Sequence, residues 1–147
     1  RISNKNIGLN VGFSILGRVL ELNDLSDTKY RYSSEMNSSI YYNLLKTKTS
    51  FSLFFKAFGK TNRIVEDKTL GVTQYILSEQ KAFSLFDATI TQKIWKDHFI
   101  LSIGARNILD IKEVQNTTLT SGAHGDSSSS ERLFYGRSFF GRLNFNF

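Results

Sequence analysis

The chain has 147 residues and a formal net charge of +6, with no cysteine and no proline but with thirteen phenylalanines and six tyrosines. This length is sufficient for one domain with a sizeable core. The lack of cysteine excludes disulfides and thiolate metal sites. No stretch of about eighteen apolar residues is present, so the sequence excludes a transmembrane helix but leaves open a membrane barrel, whose strands alternate.

Two further features concern partners and processing. The lysines and arginines are scattered singly rather than clustered, which argues against a nucleic-acid partner. The chain opens on Arg1 and shows no signal peptide, and we therefore expect a processed product or a segment of a longer protein.

Alternation of apolar and polar residues predicts an all-β fold, because successive side chains of a strand point to opposite faces. In the first predicted strand Gly8 and Gly12 share the polar face, and two interior glycines disfavour a helix there. The six predicted strands span residues 5–20, 30–45, 49–58, 82–95, 99–106 and 133–147.

The links between these strands alternate in length. Residues 46–48 and 96–98 are short links, whereas 21–29, 59–81 and 107–132 are longer connectors. Residues 121–130 (SGAHGDSSSS) are of low complexity, and we expect them to be mobile. An antiparallel up-and-down meander with short turns at one end and long loops at the other is typical of an outer-membrane barrel.

Each predicted strand has one apolar face and one face of small or polar residues. A half-buried soluble sheet shows the same alternation, so a soluble all-β binding module is an alternative. The length of the strands and the aromatic residues near their ends favour a membrane barrel. Four charged residues fall on the polar face, where we expect them to line a lumen or to pair with plug carboxylates: Arg18, Lys56, Arg106 and Arg142.

No catalytic constellation is visible, and we expect neither an enzyme nor a bound cofactor or resident metal. The two histidines, His98 and His124, have no cysteine or Ser-His-Asp spacing to accompany them. His124 and Asp126, with Glu131, are candidate contacts for a metal or haem substrate in the long loop. The alternative is a flexible polar loop.

Four stretches resemble the C-terminal barrel portion of TonB-dependent outer-membrane receptors of the Bacteroidetes type. Residues 37–60 (NSSIYYNLLKTKTSFSLFFKAFGK) resemble a hairpin of that family and its following strand. Residues 87–95 and 101–110 (LSIGARNILD) resemble a strand ending in Gly-x-x-Asn-Leu-Phe-Asp, here with Ile108 and Leu109. Residues 121–130 resemble a serine-rich Gly-Ala-His segment, and 136–147 resemble the terminal Gly-Arg-x-aromatic strand.

The resemblance implies that residues 1–147 are the C-terminal segment of a transmembrane barrel of about 22 strands with a plug. It implies energy-coupled uptake of a scarce nutrient (a siderophore, haem, cobalamin, glycan or peptide) by a multi-pass protein of the bacterial outer membrane. The implied partners are outer-membrane lipid, the plug and remaining barrel, the TonB complex, the barrel-assembly machinery, and a surface lipoprotein or other subunits.

The same resemblance gives Tyr135, Phe145 and Phe147 the role of an assembly signal read by the barrel-insertion machinery. The simpler alternative is interfacial anchoring by aromatic rings. For the whole protein, a passive porin or a structural barrel in a surface complex is the second hypothesis.

Overall fold

The computed structural model describes residues 2–4, 6–22, 25–67, 74–95, 98–118 and 128–146, and these form β-strands without any helix. All strand pairs are antiparallel, as the sequence predicts. In chain order the strands are β1 (Ile2–Ser3), β2 (Ile7–Leu22), β3 (Leu25–Leu44), β4 (Thr49–Phe58), β5 (Thr61–Asp67), β6 (Gln74–Gln80), β7 (Phe83–Ile94), β8 (Phe99–Arg106), β9 (Glu113–Thr118), β10 (Ser128–Arg132) and β11 (Ser138–Phe145).

The larger of two sheets, the wall sheet, has seven strands in the order β1-β2-β3-β4-β7-β8-β11. Its β4 and β8 have the bounds predicted for the third and fifth strands, and β7 differs from the fourth by one residue at each end. Among the described strands β1 and β11 each have one neighbour, so the wall sheet is open at both edges.

The hairpin of β2 and β3 is longer than predicted, and the expected connector 21–29 is wrong. Pairing continues through Glu21↔Ser26 to Leu22↔Leu25, because a cross-strand ladder overrides the turn preference of Ser26 and Asp27. Asn23 and Asp24 lie outside the described residues. The ladder is irregular between Arg18 and Leu20, which is a site of local twist.

The last strand is shorter than predicted. It begins at Ser138 rather than at residue 133, so the placement of Leu133 and Tyr135 on a strand face is wrong. The preceding residues are held by other hydrogen bonds, since Leu133 N and Phe134 N both donate to Lys112 O at 3.1 and 3.2 Å. Gly136 has a φ of 90°, which an extended strand does not contain.

The prediction of long connectors at 59–81 and 107–132 is also wrong, because each contains a hairpin. β5 pairs with β6 and β9 with β10, and the two hairpins join through β6 and β9. The result is a four-stranded sheet in the order β10-β9-β6-β5, here called the loop sheet. Of the segment expected to be mobile, Ser128–Ser130 lie in β10, and residues 121–127 lie outside the described residues.

The turns that connect β1 to β2, β3 to β4 and β7 to β8 lie at one end of the wall sheet, and β11 ends beside them. The link between β2 and β3 is at the other end and is only two residues long, so the predicted sorting of links holds for the connectors after β4 and β8 but not for 21–29. Hydrogen bonds join neighbouring turns: Asn43 N donates to Asn6 O, Lys93 N to Lys48 O, and Asn146 N to His98 O. The loop sheet and the long β2–β3 hairpin therefore lie at the opposite end.

The wall sheet leaves its apolar face uncovered. Among the residues that the structure describes, Val114 of the loop sheet is the one buried hydrophobic side chain. On the wall sheet Phe139 is 77% exposed, Phe13 67% and Ile103 58%. A soluble sandwich would bury such a face against a second sheet. No helix among the described residues is long and apolar enough to cross a membrane.

The opposite, polar face of the wall sheet contains glycine–aromatic pairs. A Cβ atom built on Gly8 would lie 2.0 Å from the Tyr41 ring, and one on Gly104 would lie 2.4 Å from the Phe140 ring. Each ring therefore occupies the space above a glycine on the neighbouring strand. This packing fixes the register of β2 on β3 and of β8 on β11.

We predict that Gly8→Ala destabilises the sheet by about 1–3 kcal/mol, because the added methyl group displaces the Tyr41 ring. Adding Tyr41→Ser should recover most of this loss, which a double-mutant cycle of unfolding free energies measures. Gly141→Ala is the matched control, since nothing lies within 4 Å of its added Cβ. Equal losses for Gly8→Ala and Gly141→Ala would contradict the packing role.

Candidate functional site

The four charged residues predicted for the polar face share that face in the observed register. Lys56 pairs with Asn37, which in turn pairs with Gly12, and Arg142 and Arg106 pair with Ser102 and Ser138. Arg18 lies on the same side of β2 as Gly8, directly opposite Arg31.

Two of these cations have defined partners. Lys56 Nζ lies 3.3 Å from Glu35 Oε2 and 4.4 Å from the centroid of the Phe58 ring. The Arg106 guanidinium lies over the Phe140 ring, 5.1 Å from its centroid. Their charges are thus held on the polar face by local carboxylate and aromatic contacts.

A network of hydrogen bonds lies at the end of β8, where the chain leaves the wall sheet, and Asn107 is at its centre. Asn107 is 8% exposed and has a φ of 51°, a conformation that asparagine tolerates. Its N–H donates to Asp87 Oδ1 at 2.8 Å, its Nδ2 donates to Ile111 O at 2.7 Å, and its Oδ1 accepts from Ile111 N at 3.0 Å. The asparagine side chain therefore closes the turn that leads from the wall sheet to the loop sheet.

Asp110 ties this turn to the residues before β11. Its Oδ1 accepts the N–H of Arg137 at 2.8 Å, and its Oδ2 lies 3.4 Å from Lys112 Nζ. Arg137 Nε in turn donates to Ile108 O at 3.0 Å. The Asn-Ile-Leu-Asp and Gly-Arg segments named in the sequence analysis are thus in contact. Their hydrogen bonds hold together the two ends of the segment between β8 and β11.

The hydrogen bond from the Arg137 backbone, followed by the contact with Lys112, lowers the pKa of the Asp110 carboxyl below its ordinary value. A lowered folded-state pKa stabilises the fold above the unfolded pKa of about 3.9, and this contribution disappears as the pH falls through the folded value. We predict that Asp110→Asn lowers the unfolding midpoint at neutral pH, and that the difference vanishes in acid. A difference that stays constant from neutral pH to below about pH 3 would contradict this role.

The loop sheet is closed across one face by an ion pair. Arg63 on β5 and Glu131 on β10 belong to the two outer strands, which would be about 14 Å apart in a flat sheet. Nevertheless, Arg63 Nη1 lies 2.8 Å from Glu131 Oε2. The two side chains reach toward each other over β6 and β9, on the face that also carries Gln80 and Asn116.

Polar side chains under this ion pair are buried but incompletely paired. Gln80 and Asn116 are directly opposite each other and are each 7% exposed. Gln80 Oε1 accepts from Arg63 and Asn116 Nδ2 donates to Glu131, yet Gln80 Nε2 and Asn116 Oδ1 have no hydrogen-bond partner. One donor and one acceptor in the buried layer under the ion pair thus lack a hydrogen-bond partner.

We predict that Arg63→Met loosens the loop sheet by about 1–3 kcal/mol, because Glu131 loses its ion pair and Gln80 Oε1 loses its donor. Hydrogen exchange of the β6 and β9 amides measures the change. Lys60→Met is the matched control, since Lys60 pairs with Glu79 at a more exposed position, and it should change exchange little. Equal acceleration in both variants would show that the Arg63 pair does not close the sheet.

The predicted aromatic positions lie at different places. Phe145 packs edge-on against the Phe99 ring, with centroids 4.9 Å apart, and the Trp95 ring stacks on Phe99 with centroids 5.3 Å apart. Tyr135 is 97% exposed and lies at the opposite end, before β11, so it does not join this cluster. Phe147, His124 and Asp126 lie outside the described residues, and their predicted roles stay predictions.

Sequence analysis missed Arg63, Gln80 and Asn116, because both of their segments alternate weakly and were interpreted as connectors. The available signal was the β-branched and aromatic content of Ile64-Val65 and Tyr75-Ile76, which favours strands on either side of the Gly71 region. Across the described ranges, no group of three or more histidine, aspartate or glutamate side chains is placed to hold a metal ion.

Comparison of the chain with family models, with curated proteins and with solved structures finds no match.

Proposed function

We propose that this chain forms the C-terminal part of the barrel wall of a TonB-dependent outer-membrane receptor, which takes up a scarce nutrient with energy from the inner membrane. The single observation that carries the proposal is the uncovered apolar face of the wall sheet, in a chain with almost no buried hydrophobic side chain among its described residues. Lipid is the surrounding that satisfies such a face.

The dimensions of the wall sheet support this environment. β4 has ten residues, which corresponds to about 33 Å along the strand. Tilted by about 40°, such a strand rises by about 25 Å, which is the height of the apolar band of outer-membrane barrels. The aromatic cluster of Trp95, Phe99 and Phe145 lies at the short-turn end of this band, where an interfacial girdle would lie.

The open edges of the wall sheet support a larger barrel. Hydrocarbon offers no hydrogen bonds, so the free edge of β11 needs a further strand as its partner. The seven strands described in the wall sheet are fewer than the eight of the smallest outer-membrane barrels. The remaining wall, and the plug with which Arg18, Lys56, Arg106 and Arg142 would interact, therefore belong to other parts of the protein.

The loop sheet is the segment that we assign to nutrient capture. It stands at the end opposite the short turns, which in outer-membrane barrels is the extracellular end. Its Arg63–Glu131 ion pair, whose side chains are 33% and 45% exposed, presents charged groups to a ligand. The nutrient classes proposed are those that the resemblance implies: a siderophore, haem, cobalamin, a glycan or a peptide.

Fractionation of the full-length protein and an uptake assay test the proposal. We expect an outer-membrane protein whose migration on a gel changes on heating, and nutrient uptake that stops when TonB or the proton-motive force is removed. Uptake that continues without TonB would instead indicate a passive porin. A water-soluble full-length protein would contradict the barrel and favour a soluble binding module.

A further inference from the structure

The charged side chains of the wall sheet share one face. Where the structure describes the side chains of β2, β3, β4, β7, β8 and β11, the register places every lysine, arginine, aspartate and glutamate on the polar face. They are six cations and two carboxylates: Arg18, Arg31, Lys56, Lys93, Arg106, Arg142, Glu35 and Asp87. The polar face therefore has an excess of positive charge, whereas the described part of the apolar face has no charge.

Both carboxylates of the polar face already have partners. Glu35 Oε2 lies 3.3 Å from Lys56 Nζ. Asp87 Oδ1 accepts the N–H of Asn107 at 2.8 Å, at the point where the chain leaves β8. These two contacts use the carboxylates locally, at β3–β4 and at the end of β8, so the excess of positive charge remains with the other cations of the face.

Three of these cations form a basic track along β7, β8 and β11, defined here as Arg106, Arg142 and Lys93. Arg106 ends β8 at the loop-sheet end, Arg142 is opposite Ser102, and Lys93 is opposite Ile100. Their levels along β8 are about 13 Å and then about 7 Å apart, so the track extends for about 20 Å toward the short turns. All three side chains are exposed, and no carboxylate of the described residues forms an ion pair with them.

The cation nearest the loop sheet is oriented by an aromatic ring. The Arg106 guanidinium lies over the Phe140 ring, 5.1 Å from its centroid, and this ring in turn fills the space above Gly104. A guanidinium presents its N–H donors in one plane, and these donors match the paired oxygens of a carboxylate or phosphate. The ring therefore positions Arg106 for an anion without neutralising its charge.

We propose that the basic track guides an anionic nutrient, one that carries carboxylate or phosphate groups, along the polar face of the wall. Exposed cations in a water-filled passage with apolar walls raise the local concentration of anions. The three cations follow one another from one end of the sheet toward the other, an arrangement that suits a passing ligand better than one fixed contact. The inference rests on the proposed transport function and narrows its substrate, since it favours the acidic members of the nutrient classes over a neutral glycan.

The test measures the binding of pyrenetetrasulfonate, a fluorescent tetra-anion, to the full-length protein in detergent by fluorescence anisotropy. Arg106→Gln with Arg142→Gln removes two charges from the track, and Arg106→Lys with Arg142→Lys retains them. Lys46→Gln with Lys60→Gln is the matched control, because it removes the same total charge at two exposed positions outside the wall strands. A pyrene that carries a trimethylammonium group is the cationic control probe.

We expect the unaltered protein, the lysine variant and the control to bind pyrenetetrasulfonate, and the glutamine variant to bind it about tenfold more weakly, with the difference reduced by salt. Equal binding by all four proteins, or equal binding of the cationic probe, would overturn the inference. No binding by the unaltered protein would also overturn it. If the glutamine variant then unfolds more easily than the control, carboxylates of the plug occupy the track instead.

Fractionation and uptake separate this inference from the proposed function. A protein that enters the outer membrane and supports TonB-dependent uptake but binds no pyrenetetrasulfonate retains the proposed receptor and loses the anion track. A water-soluble full-length protein, or uptake that continues without TonB, contradicts the receptor whatever the probe shows.

Discussion

Leu53→Lys is expected to destabilise the inserted protein by about 2–4 kcal/mol, the cost of a lysine at the midplane on the lipid face of a barrel. Leu53 is the fifth of the ten residues of β4, and its neighbours across the ladder on the apolar face are Ile40 and Ala88. A lysine there has the greatest distance to either interface, so its ammonium group reaches water least easily. Urea unfolding of the full-length protein in vesicles measures the change.

Ser52→Lys is the matched control for this prediction. Ser52 precedes Leu53 on the same strand and is exposed on the polar face, between Tyr41 and Thr89. The same charge on this face should leave the unfolding free energy nearly unchanged, because a lumen is wet. Leu53 is only 39% exposed, so in a soluble sheet the substitution would still have some cost. The barrel hypothesis therefore predicts that Leu53→Lys is costly in lipid vesicles and that this cost disappears when the same variant is measured without lipid. A cost that is the same without lipid would favour a soluble sheet.

Asn107→Ala is expected to produce the second large effect, at the junction of the wall sheet and the loop sheet. The substitution leaves the N–H and the C=O of Ile111 without their partners, a loss of about 1–3 kcal/mol for buried groups. It also places alanine at a φ of 51°, in the left-handed region that costs about 1–2 kcal/mol. The unfolding free energy should therefore fall, and the rate of proteolysis between β8 and β11 should rise.

Two further substitutions separate these contributions. Asn107→Gly removes the hydrogen bonds but accepts the backbone conformation, so it should be less damaging than alanine by about 1–2 kcal/mol. Asn107→Asp retains the acceptor for Ile111 N and loses the donor to Ile111 O. If all three variants unfold like the unaltered protein, the turn is not held by this side chain.

The wall sheet was largely predictable because its strands satisfy a simple period-two rule. The segments 49–58 and 99–106 alternate with few interruptions (Phe54, Phe58 and Ile100), and the structure reproduces their bounds as β4 and β8. The same rule made the predicted last strand too long, since Leu133 and Tyr135 continue the alternation but do not belong to the strand. Leu133 N donates to Lys112 O instead, and the positive φ of Gly136 interrupts the extended backbone. Local pattern does not report competing long-range hydrogen bonds.

The loop sheet was not predictable from pattern, and the reason is chemical. Its closed face is mostly polar: Arg63, Gln80, Asn116 and Glu131 share it with Val114, and in most sheets such a face carries mainly apolar residues. Apolar periodicity therefore gives no signal, and the partners are separated by as many as 68 positions in the sequence. Only the pairing of the β5–β6 hairpin with the β9–β10 hairpin, which come from different connectors, brings these side chains together.

The sequence by itself determined the strand class, the division of each wall strand into an apolar and a polar face, and the short turns, since these follow from side-chain alternation and turn length. Tertiary structure decided that the two longest connectors pair into a sheet, and that Asn107 and Asp110 hold the residues at the two ends of the second connector together. These features depend on contacts between residues far apart in the chain, and the free energy of such contacts is set by the packed arrangement rather than by any local segment.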